Sequence, residues 1–175
     1  MIEKNFWENK KVFVTGHTGF KGGWISLWLQ SLGAQVTGYS LEPVSSPNLF
    51  QVGRVADNMT SIIGDISNYH DLATALSDAK PEIVFHLAAQ PSVLVSYDQP
   101  LETFSTNIIG TANILEISRQ IDSVKSIIIV TTDKCYKNKE WVYGYREVDI
   151  LGGHDPYSAS KACAELVTSS YRKSY

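Results

Sequence analysis

The sequence predicts an α/β fold built on a doubly wound parallel sheet, and three observations carry that prediction. Short apolar strands alternate with segments of helical periodicity along the chain. Three glycines at positions 16, 19 and 22 follow the first strand directly, where a tight turn must lead into a helix. No internal repeat, linker or low-complexity tract interrupts the 175 residues, so the chain reads as one domain with room for a real core.

The first strand is expected at 11–15, where Val12, Phe13 and Val14 form the unbroken apolar run of a strand buried on both faces. A helix is expected over 22–32, with Trp24, Leu27, Trp28 and Leu32 at helical spacing and Gly33 as its stop. Strand two is expected at 35–39. Pro43, Ser45, Ser46 and Pro47 then mark a loop reaching to about residue 57. Strand three is expected at Thr60–Ile63, closed by Gly64-Asp65, and a short helix at 69–76 puts Leu72 and Leu76 on one face. Strand four is expected at 82–87, followed by the small residues Ala88 and Ala89. A long helix is expected over 100–119, with Phe104, Ile108, Ala112 and Leu115 along one stripe. Strand five covers 125–130 with three consecutive isoleucines, and Asp155-Pro156 opens the last helix, because proline suits a first turn. Right-handed crossovers between parallel strands require the intervening helices.

The helical pattern of Ala162, Leu166 and Tyr171 is still running at Tyr175. A five-strand sheet leaves strand five with an apolar edge of the kind proteins normally cover. The expectation is therefore a part of a larger protein.

Composition excludes several classes. Hydrophobic content of 43% and charged content of 19% fit a soluble globular protein. A net charge of −3 argues against non-specific nucleic-acid binding, which needs a basic face to neutralise phosphates. No apolar run approaches the roughly 20 residues that span a bilayer. Met1-Ile2-Glu3-Lys4-Asn5 lacks the apolar stretch of a secretory signal. Cys135 and Cys163 share no metal-type spacing, no metal ligands are expected, and both cysteines read as reduced thiols of a cytoplasmic protein.

Gly16-x-x-Gly19-x-x-Gly22 lets a pyrophosphate approach a helix N-terminus, where free N–H groups and the helix dipole favour negative charge. Its place after the first strand is that of a dinucleotide-binding, Rossmann-like turn. Lys21 reads either as a phosphate contact or as a solvated lysine, and His17 either as a cofactor contact or as a polar turn residue. The acid that usually grips the adenine ribose at the end of strand two is missing from Gly38-Tyr39-Ser40-Leu41-Glu42. Ser40 and Glu42 are the available substitutes. No arginine awaits a 2′-phosphate there, which favours NAD over NADP. Asp65 is placed to accept from the adenine amine, or else to cap the turn at Ser67-Asn68.

Tyr157 and Lys161 lie four apart on the last helix and share a face. An ammonium beside a phenol stabilises the phenolate, as suits a general base that removes a hydroxyl proton. Thr132, Asp133 and Lys134 follow strand five, at the sheet edge where ligands sit. Thr132 can bond the hydroxyl that Tyr157 deprotonates. Asp133 and Lys134 form an acid/base pair that simple hydride transfer does not need.

Gly16-x-x-Gly19-x-x-Gly22, Leu87-Ala88-Ala89, Thr106-Asn107-x-x-Gly110-Thr111 and Tyr157-x-x-x-Lys161 resemble the extended short-chain dehydrogenase/reductases. His17 to Trp24, Gln90-Pro91 and Thr132-Asp133-Lys134-Cys135-Tyr136 narrow the resemblance to the sugar-nucleotide 4,6-dehydratases that act on CDP-glucose. It covers essentially the whole chain but only the amino-terminal half of such enzymes. Related hexose-nucleotide dehydratases carry Thr-Asp-Glu where this chain has Thr132-Asp133-Lys134.

The resemblance implies NAD held by Gly16, His17, Thr18, Gly19, Phe20, Lys21, Gly22, Asp65, Ile66, Leu87, Ala88, Gln90 and Asn107, with Tyr157 and Lys161. It implies catalysis by Thr132, Asp133, Lys134, Tyr157 and Lys161, CDP-glucose as substrate, and a homodimer or higher homo-oligomer packed through the helices at 100–119 and after Asp155. It also implies that 1–175 is an incomplete dinucleotide-binding domain whose substrate domain lies beyond it. The chain alone is then expected to bind NAD weakly and to turn over no CDP-glucose.

Overall fold

The computed structural model describes residues 4–175, so the reading of Met1, Ile2 and Glu3 as lacking a signal falls outside the described residues. In chain order the elements are α1 (Lys4–Trp7), β1 (Lys11–Thr15), α2 (Phe20–Ser31), β2 (Gln35–Ser40), α3 (Leu49–Val52), β3 (Thr60–Ile63) and α4 (Tyr69–Ala79). These are followed by β4 (Ile83–His86), α5 (Val93–Asp98), α6 (Pro100–Phe104), α7 (Gly110–Ser118), β5 (Ser126–Ile129) and α8 (Pro156–Ser174). The chain forms two compact units. One holds the described residues up to Ala88 with Asn113–Ile129, and the other holds Ala89–Ala112 with Val130–Tyr175.

The first unit carries a five-stranded parallel sheet in the order β3-β2-β1-β4-β5. β1 is central, with Val12 opposite Val36 on one side and Ile83 on the other. Because side chains alternate along a strand, β1 feeds two cores. Phe13 packs with Tyr39, Val84, Leu72, Leu76, Ile114 and Ile117. Val12 and Val14 pack on the opposite face with Leu29, Val36 and Ile83. Helices on both faces make the sheet doubly wound, as predicted. β5 is an edge strand, also as expected.

Several elements differ from their predicted forms. The loop predicted to reach residue 57 contains α3 and a 3₁₀ turn at Val55–Asn58; Asn48 starts α3 by accepting from the Gln51 amide at 2.8 Å. α2 begins at Phe20, so Gly22 lies inside its first turn. Its buried residues are Gly22, Gly23, Ser26 and Leu29, whereas Trp24 and Trp28 are 55% and 51% exposed. Small residues allow the closest approach, so they take the inner face and the tryptophans turn outward.

The predicted helix at 100–119 is not one regular helix. α5 precedes it, and between α6 and α7 the residues Ser105–Ile109 form a π-helical turn. Such turns hold one extra residue and re-aim side chains.

α8 starts as the sequence predicts. Asp155 accepts from the Ser158 amide at 2.8 Å and from the Ser158 hydroxyl at 2.6 Å, and Pro156 occupies the first turn. Burial opposes ionisation of Asp155, but the Ser158 bonds outweigh it and hold the carboxyl below its ordinary range. Asp155→Ala is expected to lower the unfolding free energy by about 1 kcal/mol and Asp155→Asn by much less. Denaturant unfolding of the two variants measures this, and equal losses would contradict the capping role.

Candidate functional site

The glycine turn belongs to the first unit. Gly16 has φ +77°, and a β-carbon there would lie 2.7 Å from the Ala88 nitrogen. At Gly22 a β-carbon would lie 1.9 Å from the Gly16 carbonyl oxygen, so no side chain fits between the helix and the turn. Gly19 is the N-cap of α2 and is exposed; no side chain caps the helix, and no acidic residue lies in its first turn. Phe20 and Lys21 flank this end and are exposed. A twelve-residue helix with a bare, glycine-lined N-terminus fits the pyrophosphate of a dinucleotide.

The side chains below the turn face inward. His17 is fully buried, its Nε2 2.7 Å from Ser61 Oγ and its ring edge-on to Phe50. The ring lies against Gly38, where a β-carbon would approach it to 2.4 Å. Nδ1 makes no hydrogen bond of good geometry. Thr18 Oγ1 donates to the Leu41 carbonyl at 2.8 Å, and its remaining contact with Ser40 Oγ, also 2.8 Å, then has Ser40 donating. The hydroxyl of Ser40, one of the two substitutes for the missing ribose acid, is thus turned into the protein. Glu42, the other, is exposed.

Burial lowers the His17 imidazole to about 4, the Tyr39 backbone pulling weakly the other way. Its folded pKa lies below the unfolded value of 6.5, so protonation favours unfolding. The contribution to stability is complete above pH 6.5 and is lost as pH falls towards 4, by about 3 kcal/mol in all. His17→Asn should flatten the dependence of unfolding free energy on pH across that interval, as denaturant titrations at several pH values would record. An unchanged slope would contradict it.

Thr15 organises the far side of the turn. Its Oγ1 accepts from the Leu87 and Ala88 amides, each at 3.1 Å, and lies 2.8 Å from His86 Nδ1. With both lone pairs used, the hydroxyl hydrogen goes to Nδ1, so His86 carries its proton on Nε2. Asp65 Oδ1 accepts from the Ser67 amide at 2.8 Å and hydroxyl at 2.5 Å, which is the turn cap the sequence offered as one of its two readings. Its side chain remains exposed. Ile66 is buried in the core, and Asn113 donates to its carbonyl at 3.0 Å.

The second unit holds the residues that the sequence offers as acid and base. Tyr157 sits in the first turn of α8 and is half-buried; Lys161, one turn on, is 8% exposed and donates from Nζ to the Val130 carbonyl at 3.2 Å. Thr132 begins a 3₁₀ turn at Asp133–Cys135, its Oγ1 donating to Asp133 Oδ1 at 3.1 Å and accepting from the Lys134 amide at 3.4 Å. Lys134 Nζ lies 3.8 Å from Asp133 Oδ1, and both side chains are exposed, at 58% and 87%. They are open to a ligand.

Asn107, in the π-helical turn, is 1% exposed. Its Oδ1 accepts from the Gln90 amide at 2.9 Å, and its Nδ2 donates to the Gln90 carbonyl at 3.1 Å and to Ser160 Oγ at 2.8 Å. Ser160 Oγ in turn donates to the Tyr157 carbonyl at 2.7 Å. The Gln90 side chain is engaged with Ser92 and Thr103. These two residues therefore brace the start of α8 through bonds within the protein. Ser160, Thr131 and Glu165 escaped the sequence reading. For Glu165 a signal existed, since it lies four residues beyond Lys161 on the same face.

Among the described residues, no three His, Cys, Asp or Glu side chains converge as a metal site, both cysteines are free thiols, and no helix is long and apolar enough to cross a membrane.

Residues 13–175 match the family model described as GDP-mannose 4,6 dehydratase. The chain is 55% identical to CDP-glucose 4,6-dehydratase of Salmonella typhimurium over 175 residues, which is 100% of this chain and 49% of that protein. The crystal structure of UDP-glucose 4-epimerase from Thermotoga maritima with UDP-glucose superposes with a TM-score of 0.82 at 30% identity, covering 94% of this chain and 52% of that one. MoeE5 in complex with UDP-glucose and NAD gives 0.75 at 25% identity, covering 92% and 48%. The chain spans about half the length of the curated relatives it matches.

Proposed function

Since the chain belongs to the GDP-mannose 4,6-dehydratase family, we propose that it supplies the NAD-binding and acid/base portion of a CDP-glucose 4,6-dehydratase. The product is CDP-4-keto-6-deoxyglucose, an intermediate of deoxysugar biosynthesis. The observation that carries this reading is the exposed Asp133–Lys134 pair beside Thr132, together with the relative at 55% identity. Epimerases perform only hydride steps and gain nothing from an eliminating pair.

NAD⁺, when bound, would supply acceptance of the C4 hydride and its return to C6. Gly16, Gly19 and the bare start of α2 would hold its pyrophosphate, and the absence of an arginine at the end of β2 favours NAD over its 2′-phosphorylated form. Thr132 and Tyr157 bind the C4 hydroxyl of the sugar, and Tyr157 removes its proton with Lys161 stabilising the phenolate. The C4 ketone acidifies the C5 proton. Lys134 assists its removal while Asp133 protonates the departing C6 hydroxyl as water. There is no net redox change.

The same reading makes the protein cytoplasmic and a homodimer or higher homo-oligomer. Leu101, Ile109 and Leu166, which lie on the helices expected at that interface, are 82%, 53% and 59% exposed, and this supports a partner there.

The test is a chimera in which this chain replaces the matching half of the Salmonella typhimurium relative, assayed with NAD⁺ and CDP-, dTDP-, UDP- and GDP-hexoses. The alkali-induced ultraviolet absorbance of the 4-keto-6-deoxy product should rise with CDP-glucose. A chimera that binds NAD⁺ and CDP-glucose without forming product would make the chain a non-catalytic dinucleotide-binding unit instead.

A further inference from the structure

We propose that Glu165 is a positioning residue that ties the Thr132-Asp133-Lys134 turn to α8, the helix carrying Tyr157 and Lys161. The inference rests on the reading of those residues as acid/base machinery and adds a group that sets their placement. Tyr157, Lys161 and Glu165 recur every four residues and share one face of α8. Lys161 Nζ donates to the carbonyl of Val130, and Oγ1 of the next residue, Thr131, donates to Glu165 Oε1. Two consecutive residues are thus gripped by two consecutive turns of one helix. The next three residues are Thr132, Asp133 and Lys134.

From within, the turn is held by bonds from the Thr132 hydroxyl to Asp133 Oδ1 at 3.1 Å and from the Cys135 amide to the Thr132 carbonyl at 3.2 Å. The Lys134 amide reaches Thr132 Oγ1 only at 3.4 Å, the Asp133–Lys134 pair is 3.8 Å apart, and the Tyr136 amide reaches the Asp133 carbonyl at 3.5 Å. All of these bonds join the turn to itself, so its placement on α8 depends on what anchors its two ends. On the far end the Gly152 amide donates to the Cys135 carbonyl at 2.8 Å. On the near end the anchor is Thr131, and a bond from a hydroxyl to a carboxylate is stronger than one between neutral groups. The charge of Glu165 is also felt in the same turn. Burial raises the Cys135 thiol, and the negative charge of Glu165 is the next largest cause. The Thr131 bond sets the carboxylate at the near end of the segment that carries Asp133 and Lys134. A displacement of about 1 Å in such groups is enough to slow proton transfer greatly.

The clamp predicts a pattern among four single variants and one double. Glu165→Ala and Thr131→Val each break the bond, while Glu165→Gln and Thr131→Ser keep an acceptor and a donor in place. Hydrogen exchange of the Cys135 and Tyr136 amides, which close the turn, should speed up about tenfold in the first pair at unchanged global stability. It should return in the second pair, and the double variant Thr131→Val/Glu165→Ala should be no faster than either single one. In the chimera, Glu165→Ala should lower kcat about tenfold with KM for CDP-glucose unchanged, and Glu165→Gln should restore it. Unchanged exchange in Glu165→Ala, or loss that Glu165→Gln does not restore, overturns the proposal, as does an effect confined to KM. Failure of the dehydratase reading shows separately, as a chimera with native Glu165 that forms no 4-keto-6-deoxy product.

Discussion

Gly22→Ala is expected to lower the unfolding free energy by about 3 kcal/mol or more and to abolish NAD binding together with it. The added methyl would sit 1.9 Å from the Gly16 carbonyl oxygen, 2.6 Å from its carbon and 3.0 Å from the His17 α-carbon. All three contacts are backbone, so no side chain can rotate away. Relief requires the start of α2 to move off the turn, and that movement opens the anion site formed by the helix N-terminus. Gly19→Ala provides the contrast. Its methyl meets only the Gly16 carbonyl oxygen, at 3.3 Å, and should cost far less. Thermal unfolding of the two variants beside calorimetric titration with NAD⁺ measures both effects. Equal stabilities would contradict the account of how this turn is packed.

Tyr157→Phe is expected to lower kcat of the chimera about a thousandfold while leaving the fold intact. Removing the phenolic oxygen takes away the proposed base and none of the hydrogen bonds that support α8. That helix is started by Asp155 and Pro156, braced by Ser160 and Asn107, and gripped further along by Lys161 and Glu165. Unfolding free energy should therefore change little, which separates loss of chemistry from loss of structure. A variant that retains most of its kcat would remove Tyr157 from the mechanism.

How much was legible in the sequence depended on whether a residue's fate was decided locally. β3 was found at the predicted residues because three of the four residues of Thr60–Ile63 are β-branched and a glycine bounds them. Leu72 and Leu76 were placed on one buried face by spacing alone, and both are fully buried. α2 was harder. Its aromatic residues are the largest apolar groups on the helix, yet the inner face goes to Gly22, Gly23 and Ser26, because close approach to the turn decides the orientation. The π-helical turn at Ser105–Ile109 was invisible for a related reason: the aim of Asn107 is set by Gln90 and Ser160, distant in sequence.

The same distinction holds at the site. The glycine turn, Thr132-Asp133-Lys134 and Tyr157-x-x-x-Lys161 lie at the element boundaries where the pattern put them. The inward roles were not legible. His17, open between cofactor contact and turn residue, is buried against Gly38 and Ser61. Thr18 and Ser40 bond to each other, and Thr15 supports the Leu87–Ala88 amides. Each of these depends on pairings between strands that periodicity cannot supply.

The most direct test of the central claim is the dehydration of CDP-glucose by the chimera in its Asp133→Asn form, with NAD⁺ present. Asparagine keeps the size of the side chain and removes the acid proposed to expel the C6 hydroxyl. The dehydratase account predicts that the 4-keto-6-deoxy product, formed by the parent chimera, disappears while NAD⁺ and CDP-glucose still bind. Undiminished product from Asp133→Asn would contradict it and would move the elimination chemistry to other residues.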